Sequence, residues 1–252
     1  MPSRVRDAYL LTTIRALMAH GGKSPERVAK EGMEAPKQPH WKRKQQEKKK
    51  SADAEEQEED QSNKARSAII FVATCERAAL VSGILTHVGV DNVALHSLLS
   101  QNRRLASLAK FKSQQVRVLV ATDVASRGLD IPTVDLVVNA SLPRSAVSYV
   151  HRVGRTARAG RRGRAISLVA ESEVSLVHAA ERASGRALEK CTAVTDDMAL
   201  SMLAPVAKAS RFTKMKLMEI GFDELVEKFQ QRKLRNRKER ERMERALRKI
   251  ET

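Results

Sequence analysis

Cysteine, aromatic residues and long apolar runs are all scarce in this chain. Its 252 residues include two cysteines, Cys75 and Cys191, with no Cys-x-x-Cys pair. That excludes a dense disulfide framework and predicts free thiols in a reducing compartment. The six histidines are scattered, and none stands at metal-ligand spacing. Aromatic residues make up 3% of the chain, and Trp41 is the only tryptophan. No apolar run approaches the roughly 18 residues that a membrane span needs. The opening "MPSRVRDAYLL" lacks the apolar stretch of a secretory signal. An aqueous setting away from the membrane is therefore expected.

What the chain has in excess is positive charge. Forty-seven Lys and Arg residues face 30 Asp and Glu, a net charge of +17. Such a balance points to an anionic partner, nucleic acid before an acidic membrane surface. Basic tails on an otherwise ordinary soluble domain would produce the same total.

Composition divides the chain into four parts. Residues 1–19 carry Leu10, Ile14, Leu17 and Met18 at helical spacing, which predicts a lead helix. Residues 20–66 are rich in Lys, Glu and Gln, and "KRKQQEKKK" abuts "DAEEQEED". So few aliphatic residues cannot offset the entropy of ordering, so a disordered charged insertion is expected, with Trp41 solvated.

Residues 67–190 alternate short apolar runs with helical patterns. "SAIIFVA", "NVALH", "VRVLVAT", "DLVVNA" and "GRAISLVA" read as strands. The segments between them read as helices, with Ser100 and Ser172 as predicted N-caps. This alternation predicts an α/β fold with a parallel sheet covered by helices on both faces. Residues 191–252 read as a helical extension, ending from Leu225 in an exposed basic helix or frayed tail. The tail's basic residues outnumber its acids and aromatics are nearly absent. Contact with a nucleic-acid backbone is therefore expected rather than base readout.

In open α/β sheets ligands bind beyond the carboxyl ends of the strands. Three segments fall there: Thr74 after the first strand, "ATDVASRGLDIP" after the third, and "HRVGRTARAGRRGR" before the fifth. The last holds six arginines in fourteen residues, with Arg152, Arg155 and Arg158 every third position. This spacing suggests guanidinium groups aimed at one anionic target, as in phosphate chemistry. Asp130 could accept from ribose hydroxyls, and Asp123 reads as a loop cap.

"SAIIFVAT", "QNRRLASLAKFK", "ATDVASRGLDIP" and "HRVGRTARAG" resemble, in order and spacing, four motifs of the DEAD-box RNA helicases, in their second RecA-like domain. The form "TAR" in place of the commoner "TGR" resembles a nucleolar subgroup acting in small-subunit ribosome assembly. The resemblance implies that Arg155 and Arg158 contact the ATP γ-phosphate, and that Asp130 and Arg127 serve the ATP site. It implies RNA contacts at Thr74, Gln101, Arg104, Thr122 and Gly128, and interdomain coupling through His151 and Arg152. It also implies ATP with magnesium, pre-rRNA as partner, protein partners for the tail, a monomer, and a nuclear, nucleolar location.

Neither a GxxxxGK[ST] phosphate loop nor an Asp-Glu-Ala-Asp sequence occurs here. In the family both lie in the first RecA-like domain, where the magnesium ligands are expected. The chain is therefore expected to be silent alone as an ATPase. Two alternatives stay open: an RNA-binding or assembly protein that kept the fold without the motor, and the equivalent domain of a DNA-directed helicase.

Overall fold

Five short apolar runs form the strands of one sheet: β1 (Ala68–Val72), β2 (Asn92–Leu95), β3 (Val118–Thr122), β4 (Leu136–Asn139) and β5 (Arg164–Ser167). Their spatial order is β2-β3-β1-β4-β5, and every pairing is parallel. The computed structural model describes residues 3–18, 64–126, 128–157, 160 and 162–250. All residues of β1, β3 and β4 are buried, as a sheet covered on both faces requires.

Alternation along β1 sends its side chains to two separate cores. Ala68, Ile70 and Val72 pack with Leu10, Leu11 and Ile14 of α1 (Ser3–Leu17), Val81 and Leu85 of α2 (Cys75–His87), and Val206 of α8 (Leu203–Glu219). Ile69 and Phe71 face the other way, toward Leu108 and Phe111 of α3 (Gln101–Lys112). A third, smaller cluster joins Tyr149 of α5 (Ala146–Val153) to Ala180 of α6 (Val174–Ser184). The remaining helices are α4 (Asp123–Ser126), α7 (Asp196–Ser201) and α9 (Phe222–Ile250).

The lead helix is tied to the domain by ion pairs as well as packing. Arg77 on α2 pairs with Asp7, and Arg6 Nη2 reaches Glu173 Oε2 at 2.7 Å. Burial pushes the Asp7 carboxyl above its ordinary value, against the opposing pull of Arg77.

Ser100 caps α3 as expected, its hydroxyl accepting from the Arg103 N–H at 3.4 Å. Ser172 does not cap α6. A 3₁₀ turn over Glu171–Glu173 precedes that helix, and the Glu173 carboxylate accepts from the Ala170 N–H at 2.9 Å. That carboxylate closes the 3₁₀ turn, and α6 begins without a side-chain cap.

The expected insertion ends earlier than its composition suggests. Ala65 N–H donates to the Leu17 carbonyl at 2.8 Å, and Met18 and Ala65 form a parallel bridge. Lys64–Arg66 therefore belong to the folded domain; the rest of the segment, with Trp41, lies outside the described residues. Among the described residues no helix is long and apolar enough to cross a membrane.

Candidate functional site

The chain leaves β1 toward β2 but leaves β3 back across β1 to β4. Neighbouring strands whose connections run in opposite directions leave a crevice at their carboxyl ends. Val72 and Thr122 are register partners there, so the segments holding Thr74 and Asp123 emerge side by side. An open cleft at this point is lined by Phe71, Asp123, Ser126, Ser148, His151, Arg152 and Arg155.

Helix α5 places the arginines. Its Tyr149 and Arg152 are buried, while His151 on its other side is exposed. Arg152 Nε and Nη2 donate to the two carboxylate oxygens of Asp123 at 2.6 and 2.8 Å. Its Nη1 donates to Asn139 Oδ1 at 3.1 Å and to the Ser141 carbonyl at 2.7 Å. The guanidinium also lies 5.1 Å from the centre of the Phe71 ring, a cation–π distance. Arg152 thus turns into its own domain and is spent on these partners rather than on the shared anionic target expected of it. Asp123, read as a loop cap, is its partner.

Arg155 behaves differently. Helix α5 ends at Gly154, whose N–H donates to Val150 O, and a tight turn follows. Val134 N–H donates to Arg155 O at 2.9 Å, and Thr156 Oγ1 donates to Val134 O at 2.6 Å. These bonds pin the backbone while the Arg155 side chain lines the cleft. Close behind lies Gly163, where an added Cβ would come 2.0 Å from Thr156 Oγ1 and 2.6 Å from the Ala157 nitrogen. Arg158 lies outside the described residues.

Asp130 is exposed on the segment after β3 and bonded by Lys112 Nζ at 2.6 Å. That bond and the Lys112 charge hold its carboxyl below the usual range, and Arg155 adds a smaller pull in the same direction. Asp130 and Arg155 are therefore electrostatic neighbours, although the sequence separates them by 25 positions. Among the described residues no three His, Cys, Asp or Glu side chains could hold a metal ion.

The expected RNA contacts lie at and beyond the carboxyl ends of β1, β2 and β3. Thr74 caps α2, accepting from the Arg77 N–H at 3.1 Å, and its hydroxyl donates to Glu76 Oε2 at 3.3 Å. Arg104 donates to Gln101 Oε1 at 3.3 Å and to the Ala125 carbonyl of α4 at 3.1 Å. Thr122 is buried at the end of β3, and Gly128 takes a φ of +72°, which favours glycine. Arg127 lies outside the described residues.

Several residues of the site carry no signal of their own in the sequence. Asn139 ends β4 and bridges Arg152 to the Ser167 hydroxyl, Ser126 lines the cleft, and Phe71 lies under Arg152. Only the position of Asn139 and Phe71 at the ends of apolar runs could have drawn attention to them.

Comparison with known proteins places this arrangement. Residues 49–160 match the helicase conserved C-terminal domain. DEAD-box ATP-dependent RNA helicase 36 of Arabidopsis thaliana is 50% identical over 163 residues, 64% of this chain and 33% of that protein. ATP-dependent RNA helicase DBP8 of Mycosarcoma maydis is 39% identical over 245 residues, 93% of this chain and 45% of that protein. The chain thus spans less than half the length of these relatives. The crystal structure of the E. coli DEAD-box protein SrmB bound to regulator of ribonuclease activity A superposes with a TM-score of 0.50. It is 40% identical, over 53% of this chain and 78% of that one.

Proposed function

The chain belongs to the DEAD-box ATP-dependent RNA helicases and carries their C-terminal domain, and on that premise we propose that it supplies arginine fingers and RNA-backbone contacts to a two-domain ATPase. The observation that carries this reading is the contrast between two arginines three positions apart. Arg152 is consumed by Asp123, while Arg155 points into an open cleft from a pinned turn.

A phosphoryl group in transfer spreads charge over its equatorial oxygens, and a preorganised guanidinium stabilises it without reorganising. Arg155 has that placement, and we assign Arg158 the same task. Asp130 would accept from the ribose hydroxyls of ATP once Lys112 releases it, with Arg127 near the same site. A first RecA-like domain would hold the triphosphate and its magnesium, and the exposed His151 would face that domain. Thr74, Gln101, Arg104, Thr122 and Gly128 would receive the RNA backbone. Arg152–Asp123 ties the two flanks together, since Asp123 follows Thr122 directly and Arg152 lies one turn before Arg155. The Thr156-Ala157-Arg158 variant favours pre-rRNA in small-subunit ribosome assembly, in the nucleolus, as the setting.

The test is complementation. A first RecA-like domain of the family, joined to this chain or added in trans, should restore ATP turnover, and RNA should stimulate it more than DNA. Failure to rescue, with RNA binding intact, would leave an RNA-binding protein that kept the fold. Stimulation by DNA alone would overturn the RNA reading.

A further inference from the structure

Helix α9 begins as a packed helix and continues as a free one. Phe222 and Val226 are buried, and Phe229 is half-buried. This i, i+4, i+7 line is the face by which α9 meets the domain. Phe222 stands edge-on to His96, just past β2, with ring centres 6.2 Å apart. One turn after Val226, Gln230 Nε2 donates to Glu76 Oε1 at 3.2 Å. The other oxygen of Glu76 accepts from the Thr74 hydroxyl. A single carboxylate thus separates the docked turn of α9 from an expected RNA contact.

From Gln231 to Met243 every residue is exposed. At 1.5 Å per residue this exposed stretch reaches about 20 Å beyond Gln230. Carried forward at about 100° per residue, the docking line meets Lys233, Arg237 and Arg240, and then Glu244 one turn further on. Glu239 and Glu241 fall to either side of it, and Asp223, Glu224 and Glu227 lie away from it. The line that is apolar where α9 touches the domain is basic from Lys233 to Arg240, where α9 begins to overhang it. Lys233 is near enough for its charge to act on the Cys75 thiol beside Thr74. Arg237 has one ion pair, with Glu241 at 3.4 Å, both side chains mostly exposed. Such a pair is weak and exchangeable for a phosphate.

We infer that Lys233, Arg237 and Arg240 form a phosphate-binding stripe that receives single-stranded RNA as it leaves the Thr74 edge of the domain; this rests on the RNA-binding reading above. Continuity with Thr74 through Glu76 sets the place, and charge sets the class of partner. The arm has no aromatic residue beyond Phe229 for bases to stack on, so it holds the backbone and is indifferent to base identity.

The test compares two triple variants of the whole chain, K233Q/R237Q/R240Q on the stripe and R232Q/R235Q/R242Q on the other faces. Both remove three charges at exposed helix positions, and circular dichroism checks that the helix persists. The probes are fluorescein-labelled oligouridylates of 6 and 18 nucleotides, titrated across salt. The stripe variant should lose about tenfold in 18-mer affinity, its salt slope falling by about 2, at roughly 0.7 per phosphate contact. Its 6-mer binding should not change, and the other variant should stay within about twofold of wild type, its phosphate contacts being intact. Equal losses in both variants would reduce the arm to bulk charge and overturn the stripe. No loss in either would overturn it too, leaving a protein-binding or solvated strut. If the wild-type chain binds neither probe at low salt, the RNA-binding reading itself fails and takes the stripe with it. If both probes bind equally and Arg104→Ala weakens both, that reading stands and the stripe alone falls.

Discussion

Arg152 holds Asp123 by two parallel bonds of 2.6 and 2.8 Å, locking helix α5 to the end of β3. The guanidinium side chain is 3% exposed and the carboxylate 29%, so one partner is dry and the other touches the cleft. A fork-to-fork pair of this kind fixes orientation as well as distance. It holds the backbone that carries Arg155 against the strand that carries Thr122.

Removing the fork should therefore cost stability before it costs chemistry. Arg152→Ala leaves Asp123, Asn139 and the Ser141 carbonyl without their donor. A broken buried pair costs about 3–5 kcal/mol, and the partial exposure of Asp123 places this one near the low end. Arg152→Lys should not restore the loss, because an ammonium cannot make both bonds in plane. Urea unfolding of both variants measures this; a change below about 0.5 kcal/mol would show that the pair is not structural.

Arg155 should show the reverse pattern. In a protein that also contains the first RecA-like domain, Arg155→Ala should lower ATP turnover by on the order of 10³-fold, with the melting temperature unchanged. Arg155→Lys should not rescue it. Arg158→Ala should match it in turnover. Activity within a few-fold of wild type would remove the finger assignment.

Residues 20–63 should be dispensable for the domain. Their flanks are already joined, since Ala65 N–H bonds to the Leu17 carbonyl, so a short Gly/Ser linker can close the gap. Each halving of a flexible loop relieves about 0.6 kcal/mol of closure entropy. Thermal scans of the excised chain should show a melting temperature equal to or slightly above that of the full one. A fall of ten degrees would mean that the segment packs on the core.

The junction of α9 should loosen in acid. His96 is buried, its Nδ1 has no hydrogen-bond partner, and burial pulls its pKa below the ordinary 6.5. The unfolded chain therefore takes the proton first as pH falls. The contribution to stability is full above 6.5 and declines as pH drops toward the lower folded value. Melting temperatures at pH 7.5 and 5.5 should differ less in His96→Asn than in wild type. The same difference in both would show that His96 is not the titrating group.

Much of the fold was legible because its signals are local. Continuous apolar runs such as "AIIFV" and "VLVAT" are short and β-branched, as strands buried on both faces are, and the intervening 3.6-residue periods fit helices. Ser100 was readable as a cap because a cap needs only its own next three residues. The 3₁₀ turn that displaces Ser172 was not, because Ser172 satisfies the local rule and only the backbone geometry sets it aside. Helices α7 and α8 were readable only as a helical extension. Phe212, Met215 and Met218 remain exposed on α8 while Val206, Ala209 and Thr213 are buried, so hydrophobicity does not mark the face that packs.

By itself the sequence determined that a parallel α/β sheet would carry hydroxyls, an acid and a run of arginines at its carboxyl edge, since strand, turn and charge are written in adjacent residues. It could not determine what each arginine meets. Arg152 and Arg155 look alike in a string of evenly spaced forks. Asp123, 29 positions before Arg152, becomes its partner only because β3 lies beside β1 and α5 turns that side chain inward over Phe71. Burial then made one arginine a structural tie and left the next free in the cleft, a division set by packing between elements distant in the chain.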